Sequence, residues 1–330
     1  MNGKMKGFIG MITLFSFLFS VTTVCAQTRR VKASGTYETK EVKIKNFDKI
    51  KLLGSPTVIY TQSADNKSTL KIYGSDNVID LVDCAVSDGV LSISFKNGTS
   101  IEFGKQGRLK IMASSPVLKD VHLQGSGDVI LENKVKCDYL SLSLQGSGDI
   151  SAGEVSCTND LSINLQGSGD ISLKNGVRAG NVALNLVGSG DIDIYNLKAK
   201  ATAATLQGSG DLKVEGANEV DDVIVSLLGS GDLSFTGIKG ENVQTELNGS
   251  GDIKVAGIAQ QVILMLRNSG DLDAKDLKAV DVDATVSGSG SISCYVSGTL
   301  KCNISGSGDI GYKGDPANVH STGKNKPRKL

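Results

Sequence analysis

The chain has 330 residues, with 35 basic and 35 acidic side chains, 39% hydrophobic and 5% aromatic content, and no tryptophan. A formal net charge of zero gives it nothing with which to attract the polyanionic backbone of a nucleic acid. Beyond one stretch near the N-terminus, no apolar run is long enough to cross a bilayer, so no transmembrane segment is expected once that stretch is removed.

That stretch is the first element of the chain. Lys4 and Lys6 precede an apolar run from Phe8 to Val21, and Val24-Cys25-Ala26 supplies small residues before Gln27. Residues 1–26 therefore read as a secretory signal peptide cleaved after Ala26. The competing readings are a membrane anchor, for which the run is short, and lipidation at Cys25, which has Val24 where a Gly, Ala or Ser is expected. With Lys4 and Lys6 removed, 33 basic residues face 35 acidic ones. Residues 27–41 are polar and charged without an apolar period and are expected to form a flexible leader.

From residue 42 to 120 the pattern is strand throughout but irregular. Ile50 and Leu52, Val58 and Tyr60, Leu70 and Ile72, and Leu91 and Ile93 alternate with polar residues between Gly, Ser, Asp and Asn turn clusters. Leu53-Gly54-Ser55-Pro56 is a worn copy of the motif that dominates residues 121–313. The region is expected to supply larger coils that cap the open end of a solenoid, since an exposed parallel edge is a template for aggregation.

Between residues 121 and 313 the sequence Gly-Ser-Gly-Asp occurs ten times, counting the altered copies Asn268-Ser269-Gly270-Asp271 and Gly288-Ser289-Gly290-Ser291. Its first position falls at 125, 146, 167, 188, 208, 229, 249, 268, 288 and 306, and a period near twenty marks a stacked coil. Each repeat places alternating apolar residues before the turn (Leu140, Leu142, Leu144) and a shorter pair after it (Ile171 and Leu173). One further apolar residue closes the coil, at Val155, Val177, Leu197, Ile238, Ile258 and Leu277. Alternation of period two excludes helices here. Three inward groups per period predict an all-β, right-handed parallel β-helix of about 20-residue coils with three short walls. After Ile310 the apolar pattern ends, and residues 314–330, with Lys324, Lys326, Arg328 and Lys329, are expected to form a mobile basic tail.

Run straight through the motif, strand alternation points Gly146 and Gly148 inward and Ser141, Ser143, Gln145, Ser147, Asp149 and Ser151 outward onto one flat polar face; the competing geometry gives one glycine a positive φ. Stacking then aligns Asp128, Asp149, Asp170, Asp191, Asp211, Asp232, Asp252, Asp271 and Asp309 in a ladder broken by Ser291. Neighbouring carboxylates about 4.8 Å apart repel by roughly 0.9 kcal/mol in bulk water, so something must offset them. Either each accepts backbone N–H groups in its own turn, or the ladder is a row of ligand or cation sites, calcium being the candidate cation.

Cys84, Cys137, Cys157, Cys294 and Cys302 follow the leader, an odd count. Alternation turns Cys294 and Cys302 inward. Cys137 and Cys157 lie one repeat apart, where they are either buried thiols or a bridge between coils. His122 and His320 are the only histidines and give no basis for a His-centred catalytic site, and no cofactor is implied. Gly-Ser-Gly-Asp precedes no helix and is not a phosphate loop.

The repeated Leu-Gln-Gly-Ser-Gly-Asp-Ile/Leu, behind Phe47-Asp48-Lys49-Ile50 and Gly54-Ser55, resembles the auto-transporter adhesin head GIN domain family, whose members are common in Bacteroidetes. The resemblance covers about residues 42–313, with Asn268, Ser291 and Arg267 as local departures. It implies a secreted right-handed β-helix with an adhesive or ligand-binding role and carries over no catalytic residues. The expected function is that of a non-enzymatic exported protein in the periplasm, on the outer-membrane surface or outside the cell, presenting a flat polar face to a glycan or cell-envelope component. The alternatives are a structural spacer or assembly module and, behind it, a carbohydrate-active β-helix enzyme.

Overall fold

Leucine, isoleucine and valine at alternate positions cannot be buried by a single coil, so coils must stack to cover them. The computed structural model describes residues 29–330 except 97–98, 104–108 and 324, and over most of that length it is a parallel β-helix with three walls. The signal-peptide reading of residues 1–26 lies outside the described residues.

The first wall stacks Asp120–Gly125, Leu140–Gly146, Asp160–Gly167, Asn181–Gly188 and their successors in parallel register, with Gly125, Gly146, Gly167, Gly188 and Gly208 directly above one another. The second wall stacks Asp128–Glu132, Ile150–Ala152, Ile171–Leu173 and Ile192–Tyr195. The third begins with Val135–Cys137, Val155–Cys157 and Val177–Arg178. Later coils join walls without a break: Leu197–Gly208 runs from the third wall of one coil into the first wall of the next. No helix among the described residues is long and apolar enough to cross a membrane.

Inside, like meets like. Val121, Leu142, Ile163, Leu184 and Ala204 fill one column and all are buried. Each fully buried Leu or Ile contributes about 1.5–3 kcal/mol relative to exposure. Asn218 interrupts the apolar column of the third wall, where it is fully buried. Its Oδ1 accepts the Leu197 N–H of the coil before (2.7 Å) and its Nδ2 donates to the Thr236 carbonyl (2.5 Å), so both polar atoms of the buried amide are paired and it stitches three coils together.

Ile258 departs from the expected pattern. Its distance from the turn assigns it to the inner column of the third wall, but it is 53% exposed, because the register runs from Ile238 to Gly257 to Leu277. Alternation carries straight through Ile253, Val255, Gly257 and Ala259, which puts Ile258 outside. Cys294 and Cys302 are buried.

Both ends differ from expectation. The stretch 29–41, read as a flexible leader, contains two paired strands: Arg29–Lys32 lies parallel to Thr99–Glu102, and Tyr37–Glu41 lies antiparallel to Thr69–Ser75, with the Tyr37 and Tyr73 rings stacked at 5.7 Å. In the region 42–120, Lys49–Gly54 and Thr57–Gln62 form a true coil, with Gly54 in register under Gly125. Beneath it Val90–Phe95 and Lys110–Ser115 continue the first and second walls. There the pairing turns antiparallel, through Val82–Ser87 and Thr69–Ser75, and Asp76–Ile79 forms one helical turn. The stretch 314–330, read as a mobile tail, adds a last coil: Asn318–Gly323 pairs with Thr299–Gly306, and Arg328 and Lys329 pair with Gly311 and Tyr312. An edge strand's unpaired N–H and C=O groups can hold a polar segment by the backbone ladder alone, which explains why neither stretch carries an apolar period.

Both the stacking and the buried thiols can be tested. Because Gly167 and Gly188 are in register, deleting residues 168–188 removes one whole coil and should leave a folded β-helix with unchanged far-ultraviolet circular dichroism. Deleting only 168–177 should abolish cooperative unfolding, because the coil can then no longer close. Burial pushes the thiols of Cys84, Cys294 and Cys302 up to about 12. The unfolded thiols ionise first as pH rises, so their contribution to stability is complete below about pH 9 and is lost between about 9 and 12. Urea midpoints should fall across that window, and the fall should be shallower in Cys294→Ala.

Candidate functional site

The candidate site is the corner between the first and second walls, where every copy of Gly-Ser-Gly-Asp stands. In every copy that has a glycine first, except at Gly249, that glycine adopts a positive φ, +137° at Gly146, and turns the chain from one wall into the next. Asn268, which replaces it in one coil, holds φ +79°, a conformation asparagine tolerates. The turn divides the outward row expected on one flat face: Ser141, Ser143 and Gln145 lie on the first wall, Asp149 and Ser151 on the second, and Ser147 at the edge between them.

Where both glycines stand, successive coils approach too closely for a side chain at either. A Cβ on Gly146 would lie 2.2 Å from the Gly125 carbonyl oxygen, and one on Gly148 would lie 1.8 Å from that of Gly127. The approach lets the N–H groups of Ser147 and Gly148 both donate to the Gly125 carbonyl (2.9 and 3.1 Å), and those of Ser168 and Gly169 to the Gly146 carbonyl (2.9 and 3.2 Å).

With two amides sharing one carbonyl, the next amide needs another acceptor, and the aspartate supplies it. The Asp170 N–H donates to the Asp149 carboxylate (3.0 Å), Asp191 to Asp170 (3.0 Å) and Asp211 to Asp191 (2.9 Å). The same bond joins Asp149 to Asp128, Asp252 to Asp232, and Asp271 to Asp252. Ser291 donates both its N–H and its hydroxyl to Asp271. Each of these carboxylates is thus satisfied by the following coil, not by its own turn. A hydrogen bond to a charged acceptor contributes about 1.5–3 kcal/mol, which exceeds the roughly 0.9 kcal/mol of repulsion between neighbours in bulk water. The Asp211 carboxylate also meets Lys213 Nζ at 2.8 Å, which holds that ammonium above the usual lysine range. Burial raises the Asp193 carboxyl beside them.

The ladder carboxylates stand one to a coil. Among the described residues, no three His, Cys, Asp or Glu side chains are grouped so that they could hold a metal ion, whereas calcium takes six to eight oxygens.

Three surface features escaped the sequence reading. On the outer first wall Ile224, Leu228 and Ile263 are exposed apolar side chains, with Gln244 standing between Ile224 and Ile263. The runs Val223-Ile224-Val225 and Val262-Ile263-Leu264, which break the alternation, were their signal. Beside Ile263 lies an open depression of about 320 Å³ bordered by Gln261, Asp283 and Lys301. The outer third wall carries Lys136, Arg178, Lys198, Lys239 and Lys278 at corresponding registers, with Glu219 among them paired to Lys198.

Two substitutions test the corner. Gly148→Ala should destabilise by about 3 kcal/mol or more, since only backbone movement can relieve the overlap. Asp170→Ala should cost about 1 kcal/mol, while Asp170→Asn, which keeps an acceptor oxygen, should stay within about 0.5 kcal/mol of the parent. Chemical denaturation measures both.

The chain matches the family model described as "Putative auto-transporter adhesin, head GIN domain" over residues 46–227 and again over 213–316. Among solved structures it is similar to a "putative adhesin" from Bacteroides fragilis, with 24% identity and a TM-score of 0.34 over 91% of this chain and 98% of that one. It is similar to a second "putative adhesin" from Parabacteroides merdae, with 22% identity and a TM-score of 0.40 over 91% and 99%. A "putative lipid binding protein" from Parabacteroides distasonis shares 24% identity, with a TM-score of 0.36 over 92% and 100%. No curated protein matches the chain.

Proposed function

Because the chain belongs to the auto-transporter adhesin head GIN domain family, we propose that it is an exported, non-enzymatic, adhesin-like protein whose outer first wall binds an extended partner, a glycan or another component of the cell envelope. The observation that carries this reading is the register of the wall. His122, Ser143, Asn164, Asn185, Thr205 and Ser226 stand one above another, so polar groups recur about every 4.8 Å. A polymer that repeats along its own length can meet many of them at once, and weak contacts multiply into useful affinity. The aspartates at the corner are committed to the next coil's amides, whereas the outward rows of the first wall keep hydrogen-bonding capacity for a partner. The location consistent with this is the periplasm, the outer-membrane surface or the outside of the cell.

The test is binding of the purified protein to glycan arrays and to isolated envelope polysaccharides of graded length. Affinity should rise with polymer length. The triple variant Ser143→Lys, Asn164→Lys, Asn185→Lys should lose at least about tenfold in affinity while keeping its circular dichroism spectrum. Absence of binding to every polymer, or binding that survives the triple variant, would reject the proposal.

A further inference from the structure

The third wall has an open lower edge. Its lowest strand is Val135–Cys137, which among the described residues pairs only upward, with Val155–Cys157. On the open side a single side chain takes the place of a strand: Gln62 Oε1 accepts the Lys136 N–H at 2.7 Å, and Gln62 Nε2 donates to the Lys136 carbonyl at 2.8 Å. A three-residue strand held on one side by one amide is where the wall is easiest to open.

At that strand Cys137 lies in register with Cys157. Their Sγ atoms are 3.1 Å apart, about 1 Å beyond a bonded pair, and neighbouring parallel strands place Cα atoms within the range a disulfide spans. Cys137 is half-buried and Cys157 buried. We propose that Cys137 and Cys157 are a modification site, a cross-coil disulfide made by exchange with an external disulfide, which fastens the open edge of the third wall to the coil above it.

The two thiols differ in a way that orders the exchange. The hydrogen bond between them lowers the Cys137 thiol and raises that of Cys157. The Cys137 thiolate attacks one sulfur of the external disulfide and expels a thiolate. Cys157 then gives up its proton and attacks Cys137 Sγ, expelling the second thiolate. The two cysteines lose two electrons and two protons, and the external disulfide is reduced to two thiols. Cys84, Cys294 and Cys302, whose thiols burial pushes up to about 12, supply almost no thiolate and are left reduced.

The full chain is equilibrated with oxidised glutathione, unfolded in the presence of iodoacetamide and digested with trypsin. Residues 137–174 carry no Lys or Arg before Lys174, so both cysteines fall in one peptide. It should be about 2 Da lighter than its reduced form and carry no alkyl group, while Cys84, Cys294 and Cys302 are alkylated. Two alkyl groups on that peptide, or loss of thiols from Cys294 and Cys302 instead, would overturn the assignment. In the folded protein, amide hydrogen exchange over Val135–Cys137 should slow at least about tenfold on oxidation and not respond in Cys137→Ser. Unchanged exchange in the bridged protein would overturn the fastening role.

Discussion

The approach of one backbone directly onto another, with no side chain between them, is the contact on which this molecule depends. At each corner the Ser and second Gly amides of one coil converge on a single carbonyl of the coil before, and the spacing leaves no room for a Cβ at either glycine. This pins the register of every coil at one point. The motif spacing varies from 21 down to 18 residues, and the variation is absorbed elsewhere: the register shifts fall between Phe235 and Ile238, between Lys254 and Ala256, and between Ala274 and Lys278. All three lie between the second and third walls, far along the coil from the glycines.

The aspartate is the electrostatic complement of that contact. Two amides on one carbonyl leave a third without a main-chain acceptor in the coil before. A carboxylate one coil below is both close enough and strong enough to answer it, so the ladder tolerates like charges stacked along the rod. The result is a division of polar groups: the ladder carboxylates stand at one corner and a row of lysines and an arginine on the outer third wall.

Much of this was legible because it is periodic. The spacing of the glycines announced a stacked coil, the alternation around Leu140 and Leu144 named the core, and Leu53-Gly54-Ser55-Pro56 pointed to a coil before the regular ones. Where legibility failed, the deciding partner lay far away in the chain. The Asp149 carboxylate is answered by an amide 21 residues on. Ile258 follows local alternation and not its distance from the turn. The strands at 29–41 and 318–323 have no apolar period because they are held by the backbone of Thr69–Ser75, Thr99–Glu102 and Thr299–Gly306, and backbone groups leave no trace in side-chain patterns.

By itself, then, the amino-acid sequence determined the repeat and the inward residues of the first two walls, since each follows from neighbours within a single coil. Only the tertiary structure decided how the outward rows divide between walls, what satisfies the aspartates, why the glycines of the corner admit no Cβ and where the chain ends dock. Those outcomes depend on the distance between coils and on the register of one against the next, and stacking alone fixes both.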